Sequence, residues 1–428
     1  MPQPSPVPPT PLKSPTSLTA DMLLTTNTPP PMTPPTIIWP ESQQQHAARW
    51  RAENGSPAPK RVIVADDALT ADVAYNLACE GTAMLWRGDF QNARQLLQAM
   101  ARRADAKSVR AAKKLSALKL SAAKPSTLPT PLITDAFNLH RQAQAQRARI
   151  LSMLLIPFDA DFSIPLRRAP DVRRACAEAW GAPGQSAAAS VTSLRELLGI
   201  IGAHEWRRKG VEIPALGDRV HPYYGVFAPI RWEYVALVAE ALLPSPLPPL
   251  AFDIGTGTGV LAAILARRGI KRIIATDQDP RALGCARENL TRMKLHDRVE
   301  ILEADLFPTG CAPLIVCNPP WLPARPSSPI ERAVYDPESR MLRGFLTGLA
   351  AHLDTNGEGW LILSDLAEHL GLRTRETLLG WIDNANLCVA ERLDVKPTHS
   401  RVTDATDPLH AARAKEVTSL WRLKVKQR

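Results

Sequence analysis

The sequence predicts an α/β fold for the second half of this chain, with a mostly parallel seven-stranded sheet covered by helices on both faces. Two observations carry this prediction. From about residue 220 onward, short apolar runs typical of buried strands alternate with longer runs of helical character. The first strand-like run leads directly into a glycine-rich turn, which is typical of the first strand–helix junction in such sheets.

Strand-like and helical runs follow one another through this region. The strand-like runs are 250–254, 272–276, 299–304, 313–317, 359–364, 387–395 and 417–425. The helical runs are 230–243, 260–268, 280–293, 339–353 and 366–384. Because the two types alternate, the sequence predicts parallel strands connected by helices. We assign residues 216–428 to this domain.

The first half of the chain has a different composition. Residues 1–60 hold 15 of the 40 prolines, mixed with Ser, Thr and Gln, which predicts a disordered, partly polyproline-like tail. Residues 61–215 carry apolar residues at helix-like spacing, which predicts a helical domain. Within it, residues 102–124 hold eight basic residues and one acid. This segment fits a helix that contacts nucleic-acid phosphates, and equally a solvated helical face.

Net charge, cysteine spacing and the distribution of apolar residues limit the classes of protein to which this chain can belong. The net charge of +10 fits a polyanionic partner, and equally a basic soluble surface. The six cysteines are far apart and form no C-x-x-C pair, so we expect neither a metal site nor a disulfide framework. The sequence has no apolar run of the roughly 20 residues needed to span a bilayer, and no secretory signal. These features predict a cytoplasmic protein without a membrane partner.

Glycines follow the first predicted strand at every second position. The run Asp253-Ile-Gly255-Thr256-Gly257-Thr-Gly259 lets the backbone turn sharply and leaves bare main chain for a ligand. The helix from Val260 points its positive end at the same place. The spacing G-x-G-x-G does not meet the dinucleotide fingerprint G-x-G-x-x-G, which argues against NAD. Taken alone, the glycines are explained equally well by a tight structural turn.

Acidic residues lie at the ends of the next two predicted strands. Asp277 lies about 20 residues past the glycine loop, where a carboxylate can accept both hydroxyl groups of a ribose. Asp305 and Leu306 follow the third strand, where an acid can accept from an adenine amino group. Asp279 is the better candidate for a helix cap, which leaves Asp277 for a ligand. With Asp253, these acids predict a nucleoside cofactor.

The run Asn318-Pro319-Pro320-Trp321 follows the fourth predicted strand. An amide or exocyclic amino nitrogen is a poor nucleophile because its lone pair is delocalised. The Asn318 side-chain oxygen and the Pro319 carbonyl oxygen are suitable acceptors for its two N–H groups, and they can localise that pair. The prolines stiffen the turn, and the Trp321 ring offers a face for stacking. The alternative is a rigid strand exit with a packed tryptophan.

In this order and spacing, the motifs resemble those of class I S-adenosylmethionine-dependent methyltransferases, whose fold is Rossmann-like. The run at 318–321 resembles the [DNS]-P-P-[YFW] motif of members that act on planar nitrogens. The resemblance implies S-adenosylmethionine as cofactor. We therefore predict cofactor contacts from Asp253, Gly255, Thr256, Gly257, Gly259, Asp277, Asp305, Leu306 and Asn318, and catalytic roles for Asn318, Pro319, Pro320 and Trp321.

The methyl acceptor is predicted from weaker likenesses. Tyr335-Asp336-Pro337 resembles a segment of the release-factor glutamine methyltransferases, and the loop with Phe227 and Pro229 resembles their substrate-side loop less closely. We thus expect Phe227, Pro229 and Tyr335 on the substrate side, and a protein glutamine of the translation machinery as acceptor. Trp321 departs from that family's usual tyrosine. Two alternatives stay open: methylation of an RNA or DNA base, and a non-catalytic, ribosome-associated module that binds the cofactor.

Overall fold

The computed structural model describes residues 35–122, 131–184, 188–326, 329–398, 404 and 407–427. The side chains of residues 107–122, 131–133 and 329 are not described. Residues 1–34, which form most of the tail predicted to be disordered, lie outside the described residues. Helices and strands are numbered along the chain.

The N-terminal half builds a six-stranded mixed sheet with helices. The strands are β1 (Thr36–Glu41), β2 (Gln44–Trp50), β3 (Arg61–Ala65), β4 (Thr82–Trp86), β5 (Leu154–Phe158) and β6 (Ser190–Ser193). The helices are α1 (Ala71–Cys79), α2 (Phe90–Ala122), α3 (Pro131–Leu151), α4 (Arg173–Trp180) and α5 (Leu194–Lys209). The strands lie in the order β1-β2-β6-β5-β4-β3, and the pairs β3–β4, β4–β5 and β2–β6 are parallel.

The prediction of a helical domain over residues 61–215 is therefore wrong. Its helices exist, but β4 and β5 lie among them, and every residue of these two strands is buried. A five-residue run that is apolar throughout has no period of its own, so its residues merge with neighbouring helical patterns. Only the pairing of β4 with β3 and β5 identifies it as a central strand.

The prediction of disorder is also wrong for the end of the 1–60 segment, where β1 and β2 form a hairpin. Ser42 and Gln43 connect the two strands with φ of 52° and 65°, the left-handed values of a tight hairpin turn. Pro40 lies in β1, an edge strand, where a missing backbone donor is tolerated. Alternate residues of β1 are buried, so Ile37 joins a hydrophobic core while Ile38 is half exposed.

The C-terminal half contains the predicted seven-stranded sheet. A small hairpin, β7 (Val211–Ile213) and β8 (Asp218–Val220), precedes it. The sheet strands are β9 (Leu250–Ile254), β10 (Arg272–Asp277), β11 (Val299–Glu303), β12 (Ala312–Cys317), β13 (Leu353–Ser364), β14 (Leu387–Val395) and β15 (Thr418–Val425). The helices are α6 (Glu233–Glu240), α7 (Val260–Arg267), α8 (Pro280–Arg292), α9 (Arg340–His352), α10 (Leu366–His369), α11 (Arg375–Asn384) and α12 (His410–Arg413).

The order of this sheet is β11-β10-β9-β12-β13-β15-β14, and β15 is antiparallel to both of its neighbours. The predicted α/β fold is confirmed for this half. The connections run one way from β9 to β11 and the other way from β12 onward, so the strand order reverses between β9 and β12. Ligands bind at such a switch point, at the carboxyl ends of the strands.

Two observations concern the predicted contact with nucleic acid and the question of a membrane-spanning helix. The basic segment 102–124 lies mostly in α2, but its side chains from residue 107 onward are outside the described part, so its contact with nucleic acid stays a prediction. Among the helices that the structure describes, none is long and apolar enough to cross a membrane.

The burial of β1 gives a matched test of the first half. We expect Ile37→Ala to lower the free energy of unfolding by about 2–4 kcal/mol, because it leaves a cavity in a core. Ile38→Ala is the control and should change it by less than about 0.5 kcal/mol. Urea denaturation measures both. Two equally small changes would show that β1 contributes nothing to the fold.

Candidate active site

The glycine loop and the N-P-P-W run leave adjacent strands at the same level. Cys317, the last residue of β12, pairs with Ile254, the last residue of β9. Neighbouring strands lie about 4.8 Å apart. Asn318 and Gly255 therefore begin their turns side by side at the carboxyl edge of the sheet, which is the arrangement that the predicted chemistry requires.

Asp253 holds the glycine loop against the following helix. Its side chain is buried, and its Oδ2 accepts hydrogen bonds from Thr256 Oγ1 at 2.7 Å and from the Ala262 backbone N–H at 3.1 Å. Burial raises the pKa of Asp253 to about 6, against the opposing effect of these two donors. Asp253 and Thr256 thus bind each other, so any contribution to a ligand site acts through the shape of the loop.

The loop itself has the conformation that glycine allows. Gly255, Gly257 and Gly259 all have positive φ, of 73°, 55° and 81°. A Cβ on Gly255 would collide with Met341, whereas a Cβ on Gly257 would meet nothing within 4 Å. The main chain of Gly257 is therefore open to an approaching ligand.

Asp277 lies at the end of β10 and is bound to the same loop. Its Oδ2 accepts from the Gly257 N–H and its Oδ1 from the Asp279 N–H, both at 3.0 Å. Burial raises the pKa of Asp277, against these backbone donors. Asp279 caps α8, as predicted, by accepting from the Arg281 N–H. Asp277 is thus partly occupied by backbone, and each oxygen keeps a further lone pair for a ligand hydroxyl.

The acid predicted on the adenine side is the most exposed member of the site. Asp305 pairs with Arg340 of α9 at 2.9 Å, and its side chain is 60% exposed. Leu306 has a φ of 79°, rare for a residue with a Cβ, and its carbonyl oxygen accepts from Thr276 Oγ1 at 2.5 Å. This bond joins the turn after β11 to the end of β10.

In the N-P-P-W run, two side chains bind each other. The Trp321 indole N–H donates to Asn318 Oδ1 at 2.9 Å. The indole also meets the Tyr234 ring edge-on, and the Arg231 guanidinium lies 4.8 Å from its centre. The tryptophan is thus packed, as expected for a rigid strand exit. At the same time it fixes the side chain of Asn318.

A buried ionic network holds Arg231 in this position. Its Nε donates to Glu233 at 2.7 Å, and its Nη1 donates to Glu416 Oε1 at 3.0 Å. Ser364 Oγ donates to the same Glu416 oxygen at 2.6 Å. Glu416 precedes β15, which is antiparallel and so begins at the edge where β13 ends with Ser364. The network therefore spans the carboxyl edge from α6 to β15.

The loop after N-P-P-W is bound to the N-terminal half of the chain. The Asp336 backbone N–H donates to the Leu322 carbonyl oxygen at 2.8 Å, which closes the loop. Arg141 of α3 pairs with Glu331 at 3.1 Å and lies 4.0 Å from the centre of the Tyr335 ring. Phe137 of the same helix is buried in a cluster that contains Leu322. Helix α3 therefore packs directly on the loop beside the site.

The predicted substrate-side residues lie close to this edge. Phe227 and Trp321 both pack on the core cluster of the C-terminal sheet, and Pro229 is buried. Tyr335 faces Arg141, as described above. The roles of these residues, like those of the other predicted site residues, stay predictions.

Sequence reasoning missed Glu416 and Arg141. Glu416 has one signal in the sequence: an acid immediately before a final strand lies at the ligand edge if that strand is antiparallel. Arg141 has none, because it belongs to a helix of the other half and only packing brings it to the loop.

Comparison with known proteins shows what the C-terminal half is similar to. Residues 220–370 match the model of the family described as the methyltransferase small domain. The chain is 32% identical over 171 residues to a release factor glutamine methyltransferase of Geobacter sulfurreducens, covering 37% of this chain and 58% of that protein. It is 44% identical over 74 residues to a ribosomal protein L11 methyltransferase of Carboxydothermus hydrogenoformans, covering 17% of this chain and 24% of that protein.

A third relative acts on RNA by its name. It is a tRNA1(Val) (adenine(37)-N6)-methyltransferase of Vibrio parahaemolyticus, 29% identical over 165 residues, with 37% of this chain and 68% of that protein covered. The chain thus spans less than two thirds of the first two relatives. These matches confirm the methyltransferase domain that the motifs predicted.

The buried carboxyl of Asp253 predicts a pH dependence of stability. Its pKa in the folded chain, about 6, exceeds the ordinary value of 3.8. The folded state therefore binds this proton more tightly, and the stabilisation from the protonated form is lost as pH rises through about 4 to 6. We expect the stability of the wild type relative to Asp253→Asn to fall by about 3 kcal/mol over that range.

Urea denaturation between pH 4 and 8 measures this difference. Asp305→Asn, which changes an exposed carboxylate at the same edge of the sheet, is the control substitution. A difference between wild type and Asp253→Asn that stays constant with pH would contradict the prediction.

Proposed function

We propose that this chain, which carries a class I methyltransferase domain, transfers a methyl group from S-adenosylmethionine to a planar nitrogen, with a protein glutamine as the acceptor. The observation that carries the proposal is the pairing of Cys317 with Ile254. It sets Asn318, the first residue of the N-P-P-W run, beside Gly255, the first residue of the glycine loop.

The glycine loop fits the cofactor. Gly257 offers open main chain, and Asp277 next to it keeps lone pairs for the two hydroxyls of a ribose. The N-terminus of α7 adds a positive field behind the loop. S-adenosylmethionine, when bound, supplies a methyl group on a positively charged sulfur.

The N-P-P-W run activates the nitrogen. Asn318 Oδ1 and the Pro319 carbonyl oxygen can accept from the two N–H groups of a planar amide, which draws its lone pair out of conjugation. That pair forms the new N–C bond while the S–C bond breaks and its electrons stay on sulfur. The nitrogen then gives up one proton to the solvent. Positioning and electrostatics carry this reaction, so no strongly basic side chain is required.

Trp321 positions Asn318 in this proposal. Because Asn318 Oδ1 already accepts from the indole at 2.9 Å, its side chain is fixed before an acceptor arrives, and one lone pair remains for the incoming N–H. Arg231 and Tyr234 in turn hold the indole. This differs from the role in stacking that the sequence predicted.

Two observations support a protein of translation as the acceptor, and the name of the first relative supports glutamine within it. The first two relatives are named for release factor glutamine and ribosomal protein L11. Ile230 and Trp232, which flank Arg231 on the substrate-side loop, are 55% and 44% exposed. Exposed apolar side chains beside a site suit a protein surface better than a phosphate backbone. The second candidate, an RNA base, is favoured by the net charge of +10 and by the tRNA methyltransferase relative.

Labelling of a cell extract tests both the identity of the methyl acceptor and the role of Asn318. With tritiated S-adenosylmethionine, we expect the wild type to label protein, and Asn318→Ala to lose at least a hundredfold in rate, because the nitrogen is no longer activated. Label in RNA instead of protein would select the second candidate. Binding of cofactor without any label would leave a non-catalytic module.

Calorimetry of cofactor binding supplies the control. Asn318→Ala should bind S-adenosylmethionine nearly as the wild type does, whereas Asp277→Ala should bind it more weakly. Unchanged affinity in Asp277→Ala would count against the ribose contact.

A conservative change separates positioning from stacking. Trp321→Phe keeps an aromatic face but removes the donor to Asn318. We expect kcat to fall about tenfold, the worth of one hydrogen bond, with KM nearly unchanged. Unaltered kcat with a higher KM would favour stacking on the acceptor.

A further inference from the structure

Arg141 belongs to α3 in the N-terminal half, yet its side chain contacts the loop after N-P-P-W at three places. Its Nη1 donates to the Glu331 carboxylate at 3.1 Å, and its Nη2 donates to the Arg325 carbonyl oxygen at 2.5 Å. Its guanidinium lies 4.0 Å from the centre of the Tyr335 ring. One side chain thus holds the loop near its start, in its middle and at its end.

The helix that carries Arg141 is itself fixed to this region. Phe137, one turn earlier in α3, is buried in the cluster that contains Leu322. Thr134 Oγ1, a further turn away, donates to the Leu370 carbonyl oxygen at 3.1 Å. Residues 134, 137 and 141 follow the three- and four-residue spacing of one helix face. Arg141 therefore acts on the loop from a support that is already in place.

The end of this loop fixes the end of the N-P-P-W run. Leu322 directly follows Trp321 in the chain. Its N–H donates to the Val334 carbonyl oxygen at 3.1 Å, and its carbonyl oxygen accepts from the Asp336 N–H at 2.8 Å. These two backbone bonds flank Tyr335, whose ring lies against the guanidinium. A displacement of this segment would move Leu322 and, with it, the N-P-P-W turn.

The helix that follows the loop is anchored independently of Arg141. The two carboxylate oxygens of Asp336, which is buried, accept from the backbone N–H groups of Met341 and Leu342 at the start of α9, at 3.1 and 3.2 Å. Leu342 and Phe345 of this helix are buried in the core of the C-terminal sheet. Loss of the Arg141 contacts should therefore release the loop while α9 and the glycine loop stay in place.

We propose that Arg141 is a positioning residue for the methyl transfer. By holding the loop of residues 322–335, it keeps Asn318 and the Pro319 carbonyl oxygen in the arrangement that binds the acceptor nitrogen. This inference rests on the proposed function and adds to it a role for the N-terminal half. Arginine suits this role because its planar fork donates to a carboxylate and a carbonyl while its face lies on an aromatic ring.

Arg141→Met tests the proposal, with Arg147→Met as the matched control. Arg147 lies in the same helix and pairs with Asp105 of α2, within the N-terminal half, at 2.6 Å. Each substitution removes one partly exposed ion pair, so both should change the melting temperature little. Only Arg141→Met should lower kcat/KM for the acceptor, by roughly tenfold, because the N-P-P-W turn is displaced. No loss, or an equal loss in both variants, would overturn the proposal.

Cofactor binding separates positioning from a loss of folded protein. Protein from a strain lacking this enzyme serves as acceptor, and initial rates at low acceptor concentration measure kcat/KM. By calorimetry, Arg141→Met should bind S-adenosylmethionine with unchanged stoichiometry and with an affinity within about twofold of the wild type. A lower stoichiometry would show a structural role, and a large loss of affinity would assign the loop to the cofactor. Either result would overturn the proposal, whereas partial recovery of kcat/KM in Arg141→Lys, which keeps the charge but not the fork, is expected.

Limited proteolysis gives a readout that needs no turnover. Trypsin can cleave after Arg332, which is exposed within the loop. Cleavage there should be roughly threefold faster in Arg141→Met, because proteolysis follows local opening, and unchanged in Arg147→Met. Equal cleavage rates in the wild type and both variants would overturn the proposal. A wild type that labels no protein would refute the proposed function, and faster cleavage of Arg141→Met would then still show that Arg141 holds the loop.

Discussion

The parallel pairing of β9 with β12 is the constraint on which the site depends. It joins two segments about 60 residues apart in the chain and fixes their ends at one level, because the hydrogen bonds of a parallel pair allow only discrete registers. A shift of one residue would turn the side chains of β12 to the opposite faces of the sheet and would move the Asn318 turn out of level with the glycine loop. The loop, the Asn318 turn and the strand reversal between them all follow from this one pairing.

Around this pairing, polar side chains are used to hold backbone and one another. Asp253 is bound to Thr256, Asp277 to Gly257, and Asn318 to Trp321. Each bond reduces the motion of a group before any ligand binds, so less entropy is lost on binding. The burial of Asp253 costs free energy. The hydrogen bonds of its carboxyl group hold the glycine loop rigid.

The N-terminal half takes part in the site through packing. Helix α3 reaches the loop after N-P-P-W with Phe137 and Arg141, and Arg281 of α8 pairs with Glu53 at 2.8 Å. Changes in that half can therefore alter the loop without touching a motif.

The sequence by itself determined the seven-stranded sheet and the residues at its ligand edge. Strands β9 and β14 have the predicted bounds, because Gly255 follows β9 directly and Pro397 lies two residues after β14. The six-stranded sheet was decided by tertiary structure, since β4 and β5 are apolar throughout and acquire an identity only from their partners. The bond from Trp321 to Asn318 and the place of Glu416 were also decided there. A side chain's partner depends on which distant segments fold beside it, and no local pattern records that.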